Sequence, residues 1–100
     1  MRRGEIWNAT RAGHTRKVVI VGHEALTGMR DRVLVVPISD VHAASLIQPA
    51  LADDDGHSVG VALTPGVGEI AKAYLTARAG SLAEASVESL DIALRAALDL

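Results

Sequence analysis

Arg32-Val33-Leu34-Val35-Val36-Pro37-Ile38-Ser39-Asp40 is the stretch on which the reading of this chain turns. Four consecutive aliphatic residues, three of them β-branched, stop at a proline, and a hydroxyl and a carboxylate follow. A run so short and so apolar predicts a strand buried on both faces. Proline cannot donate to a ladder, so Pro37 is expected to mark the place where pairing ends. Ser39 and Asp40 then stand at the rim of a core strand, a rigid support for chemistry.

Working outward, Arg16-Lys17-Val18-Val19-Ile20-Val21-Gly22 is a second β-branched run, ended by glycine, and Arg3 to Asn8 alternates weakly as a first strand with Ile6 inward. Thr10 to Thr15 reads as a polar loop broken by Gly13, and His23 to Met29 has room for one helical turn. Beyond Asp40, Val41 to Ala52 is apolar but interrupted by Pro49, which predicts a loop with an edge strand. Asp53-Asp54-Asp55-Gly56 is a turn by composition. Ser58 to Leu63 is expected as a strand ending at Thr64-Pro65-Gly66, and Ile70 to Ala77 fits either a strand or a short helix. Val87, Leu90, Leu94, Ala97 and Leu98 recur at spacings of three and four and predict an amphipathic helix running to the last residue. Ser81 and Glu84 fit a capping box at its start. Short strands followed by one closing helix describe an α+β, mainly β, domain on a small, strongly curved antiparallel sheet. Such a sheet closes into a barrel or lets the helix cover one side, and pattern alone leaves both open.

At 100 residues, with no repeat or linker, the chain is read as one domain over 1–100. Trp7 and Tyr74 are its only aromatic residues, so the core must be built from Val, Ile, Leu and Ala. The absence of cysteine excludes disulfides and thiolate metal sites and suits a reducing compartment. No apolar run approaches the ~20 residues that span a membrane. Arg2 and Arg3 lead into a charged strand rather than a signal-peptide core. The expectation is a cytoplasmic protein. Charge is uneven: residues 1–32 carry seven Arg and Lys against three acids, and residues 33–100 carry three against nine. An anionic partner would be met by the first third.

General motifs for phosphate loops, zinc proteases or thiol nucleophiles are missing. His14, His23, His42 and His57 lie too far apart in sequence to form a ligand pair, so no metal is expected. Asp53-Asp54-Asp55-Gly56 lacks the alternating ligands of a calcium loop and reads as a solvated turn. Two strand ends offer more. If the second and third strands are antiparallel, Arg16 at the start of one lies beside Ser39 at the end of the other, with His14 two residues away. A guanidinium fork and a hydroxyl on one rim suit a phosphodiester. On the residues alone, the simpler reading is that both only finish hydrogen bonding at the sheet edge.

A resemblance changes that balance. Met1-Arg2-Arg3-Gly4-Glu5-Ile6-Trp7 resembles the opening of the MazF/PemK/Kid family of toxin endoribonucleases. Arg16 to Val21 is similar to the family's second strand, Val35-Val36-Pro37-Ile38-Ser39 to its third, and Gly80-Ser81-Leu82 with the following helix to its close. The resemblance implies a small SH3-like barrel with a C-terminal helix, a homodimer, and cleavage of single-stranded RNA at short sequences with no metal or other cofactor, leaving a 2′,3′-cyclic phosphate. It further implies a toxin of a type II toxin–antitoxin pair, with an antitoxin protein as partner. The family's catalytic arginine matches Arg16, its threonine or serine matches Ser39, and Gly13-His14 resembles a Gly-His found in some members. Arg16 is then the transition-state stabiliser and proton-transfer partner, Ser39 bonds a phosphate oxygen, and His14 is the better acid–base group on physical grounds. Arg11, Lys17 and Lys72 are candidates to bind RNA. The chain departs from the family where Lys17 replaces a proline, where the first loop is short, and where Lys72-Ala73-Tyr74 stands near the usual Asp-Gln-Ile-Arg segment. Two other readings remain: a CcdB-like toxin that binds gyrase, for which an exposed Leu98-Asp99-Leu100 would speak, and a degenerate member that only binds its antitoxin.

Overall fold

The computed structural model describes residues 1–22 and 31–98, so the helical turn expected over His23 to Met29 lies outside the described residues. The strands are β1 (Glu5–Arg11), β2 (His14–Ile20), β3 (Arg32–Ser39), β4 (Ala50–Ala52), β5 (Ser58–Ala62), β6 (Gly68–Ala71) and β7 (Leu75–Ser81). Among the described residues one α-helix, α1 (Glu84–Ala97), follows. All the pairings are antiparallel, in the order β4-β5-β3-β2-β1-β7, with β6 also on β3.

The central strand explains the order. Leu34 accepts from the Val21 N–H on one edge, and Pro37 offers its carbonyl to the Leu63 N–H on the other. That other edge is shared: β6 pairs as far as Val35 and β5 takes over at Ile38. Pro37, with no N–H to give, stands where the partner changes, so it ends one ladder without ending the strand. The two aliphatic runs are buried on both faces as expected, because the sheet has a cluster on each side. Val19, Val21, Val36 and Ile38 join Ile6, Leu51, Leu82 and Leu90 beneath the helix. Val18, Ile20, Val33 and Val35 join Leu75 on the opposite face. Leu34 is the exception, 38% exposed.

Closure lies between the two alternatives. No ladder joins β4 to β7, but an isolated bridge between Asp53 and Leu82 does, flanked by bonds from Asp54 N to Ser81 O and from Ala83 N to Ala52 O. The sheet is therefore curled until its edges touch at one point, and α1 covers one side. The buried Ser86 hydroxyl accepts from the Ala52 N–H at 2.9 Å and fixes helix to sheet.

Several boundaries differ from expectation. The polar loop over Thr10 to Thr15 is a two-residue turn, and Thr10 pairs with Thr15 and Arg11 with His14. Ala12 (φ 53°) and Gly13 (φ 80°) both lie in the left-handed region, as a hairpin of this length demands. Ala12 gave no sign of this, since alanine seldom adopts it. The Ile70 to Ala77 stretch is the end of β6, a 3₁₀ turn at Lys72–Tyr74, and the start of β7. Ser81 is the last residue of β7 rather than a helix cap; Ala83 takes the N-cap position with no side-chain bond. The helix ends at Ala97, and Leu98 is 51% exposed instead of completing the apolar stripe.

Candidate active site

The face of β2 that buries Val18 and Ile20 continues outward as Arg16 and His14, because side chains two apart share a face. Register brings β1 alongside, with Ala9 opposite Arg16 and Arg11 opposite His14. The strands curl around a cleft of about 380 Å³ whose floor includes Val18, Val35, Pro37 and Ile70 and whose rim carries Arg11, His14, Arg16, Glu69 and Tyr74. The Arg11 guanidinium lies over the Tyr74 ring, 5.3 Å from its centre, a cation–π contact. An apolar floor under a cationic, aromatic rim fits a ligand with one flat apolar part and one anionic part.

Arg16 also borders a second recess of about 280 Å³, with Lys17, Ile38 and Asp40 among its lining. It therefore stands between two depressions, one on each side of it.

Arg16 and Ser39 were expected to share one rim. The β2–β3 ladder ends at Val18↔Pro37, and two further steps of the same register would set Ser39 opposite Arg16. The flanking residues Ile38 and Asp40 do share the second recess with Arg16. Ser39 itself is only 7% exposed. Its Oγ lies 2.6 Å from His42 Nδ1 and accepts the Val41 N–H at 3.2 Å, so the hydroxyl is engaged by its own loop. Of the residues expected to bind RNA, Arg11 lines the cleft and Lys17 the second recess. Lys72 lines neither: it opens the 3₁₀ turn, its N–H donating to the Asp31 carbonyl.

Glu69, the Tyr74 stack and the Ser39–His42 pair were missed by the sequence reading. β6 had no pattern of its own to reveal Glu69, whose carboxylate lies 3.8 Å from Arg32. The three-residue spacing from Ser39 to His42 was a usable signal, because a loop of that length lets two side chains meet. Asp53, Asp55 and His57 bring ligand atoms within 4.8 Å of one another. Asp53 Oδ1, however, accepts the N–H groups of Asp55 and His57, which makes this the expected turn. At the start of β1, partial burial raises the Glu5 pKa, but bonds from the Arg2 N–H and the Trp7 indole, together with Arg78, outweigh it and leave the carboxyl below its ordinary value.

A family model described as a PemK-like, MazF-like toxin of type II toxin–antitoxin systems matches residues 2–98. The chain belongs to that family. The likeness expected from four separate stretches thus covers nearly the whole length, and it lends the CcdB-like alternative no support. Solved structures share the fold at low identity. An endoribonuclease in complex with its cognate antitoxin, from a mycobacterial species, is 19% identical with a TM-score of 0.90, covering 100% of this chain and 96% of its own. A MazE–MazF complex from Deinococcus radiodurans is 14% identical with a TM-score of 0.85, covering 100% and 96%. The Mycobacterium tuberculosis toxin MazF-mt6 is 20% identical with a TM-score of 0.80, covering 96% and 97%.

Proposed function

We propose that this PemK/MazF-like toxin is an endoribonuclease that cuts single-stranded RNA without a metal, the whole chain acting as one domain. The observation that carries the proposal is the cleft, in which Arg11, His14 and Arg16 from two paired strands ring an apolar floor. A flat base on that floor, against the Arg11–Tyr74 stack, would leave its phosphate at Arg16. Such a base must be unstacked, which selects single strands.

The reaction is transfer within the RNA. The 2′-oxygen forms a bond to the adjacent phosphorus, the bond from phosphorus to O5′ breaks, and the products are a 2′,3′-cyclic phosphate and a 5′-hydroxyl. Arg16 holds the charge that builds on the non-bridging oxygens. A guanidinium stays protonated at any working pH and so is a poor base. His14, two residues along the same face, has an imidazole that can take the proton. Ser39 stands beside the site at the end of β3, with its hydroxyl held by its own loop, and Lys17, in the second recess, meets the RNA backbone.

The same cationic rim suits an acidic, extended antitoxin segment, and we place the toxin in the cytoplasm as a homodimer. Relatives of this fold are described in complexes with an antitoxin, one of them an endoribonuclease. The deciding experiment is incubation with a long RNA in EDTA, followed by analysis of the new ends. Cyclic phosphates and 5′-hydroxyls are expected; intact RNA across a varied pool would leave the antitoxin-binding, degenerate reading.

A further inference from the structure

Transfer within RNA moves two protons: one leaves the 2′-hydroxyl and one must reach O5′. In-line displacement puts these two ends on opposite sides of the phosphorus, so one histidine beside Arg16 serves one end only. If the ribonuclease reading holds, a second proton-transfer group is required on the far side of Arg16. We propose that His42 is that group, and that Ser39 is the positioning residue that holds it.

The geometry is that of a braced imidazole. Ser39 is buried and lies at the end of a core strand, so its hydroxyl is fixed relative to β2. That hydroxyl engages His42 Nδ1 at 2.6 Å, and the Val41 N–H bonds the same oxygen at 3.2 Å, which leaves the hydroxyl little freedom to turn. A bond to one ring nitrogen fixes the orientation of the ring and leaves the other nitrogen for chemistry. His42 is exposed while Ser39 is not, so the imidazole is the member of the pair that can reach a substrate. Its placement comes through Ser39. His14 lines the cleft beside Arg16, and Ile38 and Asp40, which flank Ser39, line the second recess, where Arg16, Lys17 and Asp40 are the charged groups. His42 itself lines neither depression; continuing the β2–β3 register sets Ser39 opposite Arg16, and in the proposed arrangement the imidazole held on Ser39 reaches a phosphate at Arg16 from the side away from His14.

The test uses an RNA oligonucleotide built around one mapped cut site, and the same oligonucleotide with sulfur in place of the bridging O5′. A thiolate leaves without being protonated, so the sulfur linkage bypasses the acid and still needs the base. His14→Ala and His42→Ala are each expected to lose ~10²–10⁴-fold in kcat on the oxygen substrate. On the sulfur substrate one of the two should recover most of its loss and the other none. Ser39→Ala should lower kcat with KM unchanged, and should add nothing once His42 is already alanine. His42→Gln, similar in size but unable to relay a proton, should behave as His42→Ala, with the melting temperature of both kept. The proposal is overturned if His42→Ala cuts at the wild-type rate, if both variants recover on sulfur, or if neither does. A wild type that leaves the RNA pool intact removes the ribonuclease reading and this one with it. A wild type whose cutting depends on Arg16 but not on His42 removes this one alone.

Discussion

Gly60→Ala is expected to unfold this protein at a markedly lower temperature, because β5 crosses β3 where there is no room for a side chain. Gly60 has φ +125°, a conformation that only glycine adopts without strain. A Cβ built there would lie 2.6 Å from the Ser39 carbonyl oxygen and 2.8 Å from Ile38 Cγ2. The first of these contacts is with backbone and cannot swing aside. Forcing an L-residue to positive φ costs ~1–2 kcal/mol, and overpacking a site that cannot yield costs ~1–3 kcal/mol. The two together, ~2–5 kcal/mol, should lower the melting temperature of a domain of this size by at least ~8 °C. The strand end that moves is the one carrying Ser39, so the site should suffer with the fold. Thermal unfolding followed by circular dichroism measures the effect, with Gly68→Ala as the control. An added Cβ at Gly68 meets nothing within 4 Å, and that variant should melt no lower than the wild type. A Gly60→Ala protein melting within ~2 °C of wild type would refute the close approach of β5 to β3.

Arg16→Ala should raise the barrier to RNA cleavage by ~2.7–4 kcal/mol, a hundred- to thousandfold in initial rate, as loss of one preorganised donor does. Arg16→Lys should recover only part of that rate, because the charge returns without the fork; undiminished cutting by Arg16→Ala in EDTA would disprove the site. Leu90, 2% exposed under the sheet, should cost ~2–5 kcal/mol when cut to alanine, read as a lower urea midpoint. Because the Glu5 pKa is lowered on folding, the unfolded chain binds more protons in the window below an ordinary glutamate value. That stabilisation is present above the window and is lost as pH falls through it. Acid titration with Trp7 fluorescence should show the loss in the wild type and its absence in Glu5→Gln.

Strand identity was legible wherever the apolar runs were continuous, and the reason is now visible in the two clusters. Val18-Val19-Ile20-Val21 and Val33 to Val36 feed both faces of one sheet, so neither run needed to alternate. Pattern failed where a segment has only one buried face or none. β6 is four residues long with no fully buried side chain, and β7 buries only Leu75. Their burial depends on partners far away in sequence, and a window read alone contains no trace of these. The capping box failed for a related reason: Ser81 was already committed to pairing with Glu5 across β1 and β7. Arg16 and His14, which the structure sets in one cleft, are legible through residue type and likeness to a family. His42 belongs to no motif, and its one signal in the sequence is its three-residue distance from Ser39.

The placement of Arg16 and His14 follows from register more than from any local preference. Both are exposed, and nothing in their own packing decides which face of β2 they occupy. Val18 and Ile20 decide it, because burying these two in the cluster on the face away from the helix sends every second residue of β2 the same way. The Ala12-Gly13 turn sets the same register from the other end, since a two-residue hairpin allows Arg11 only one partner, His14. A slip of one residue would carry Thr15 and Lys17 into the cleft and turn Arg16 onto the helix-covered side. A run of valine and isoleucine is thus what aims the guanidinium into the cleft, where the proposed reaction needs it.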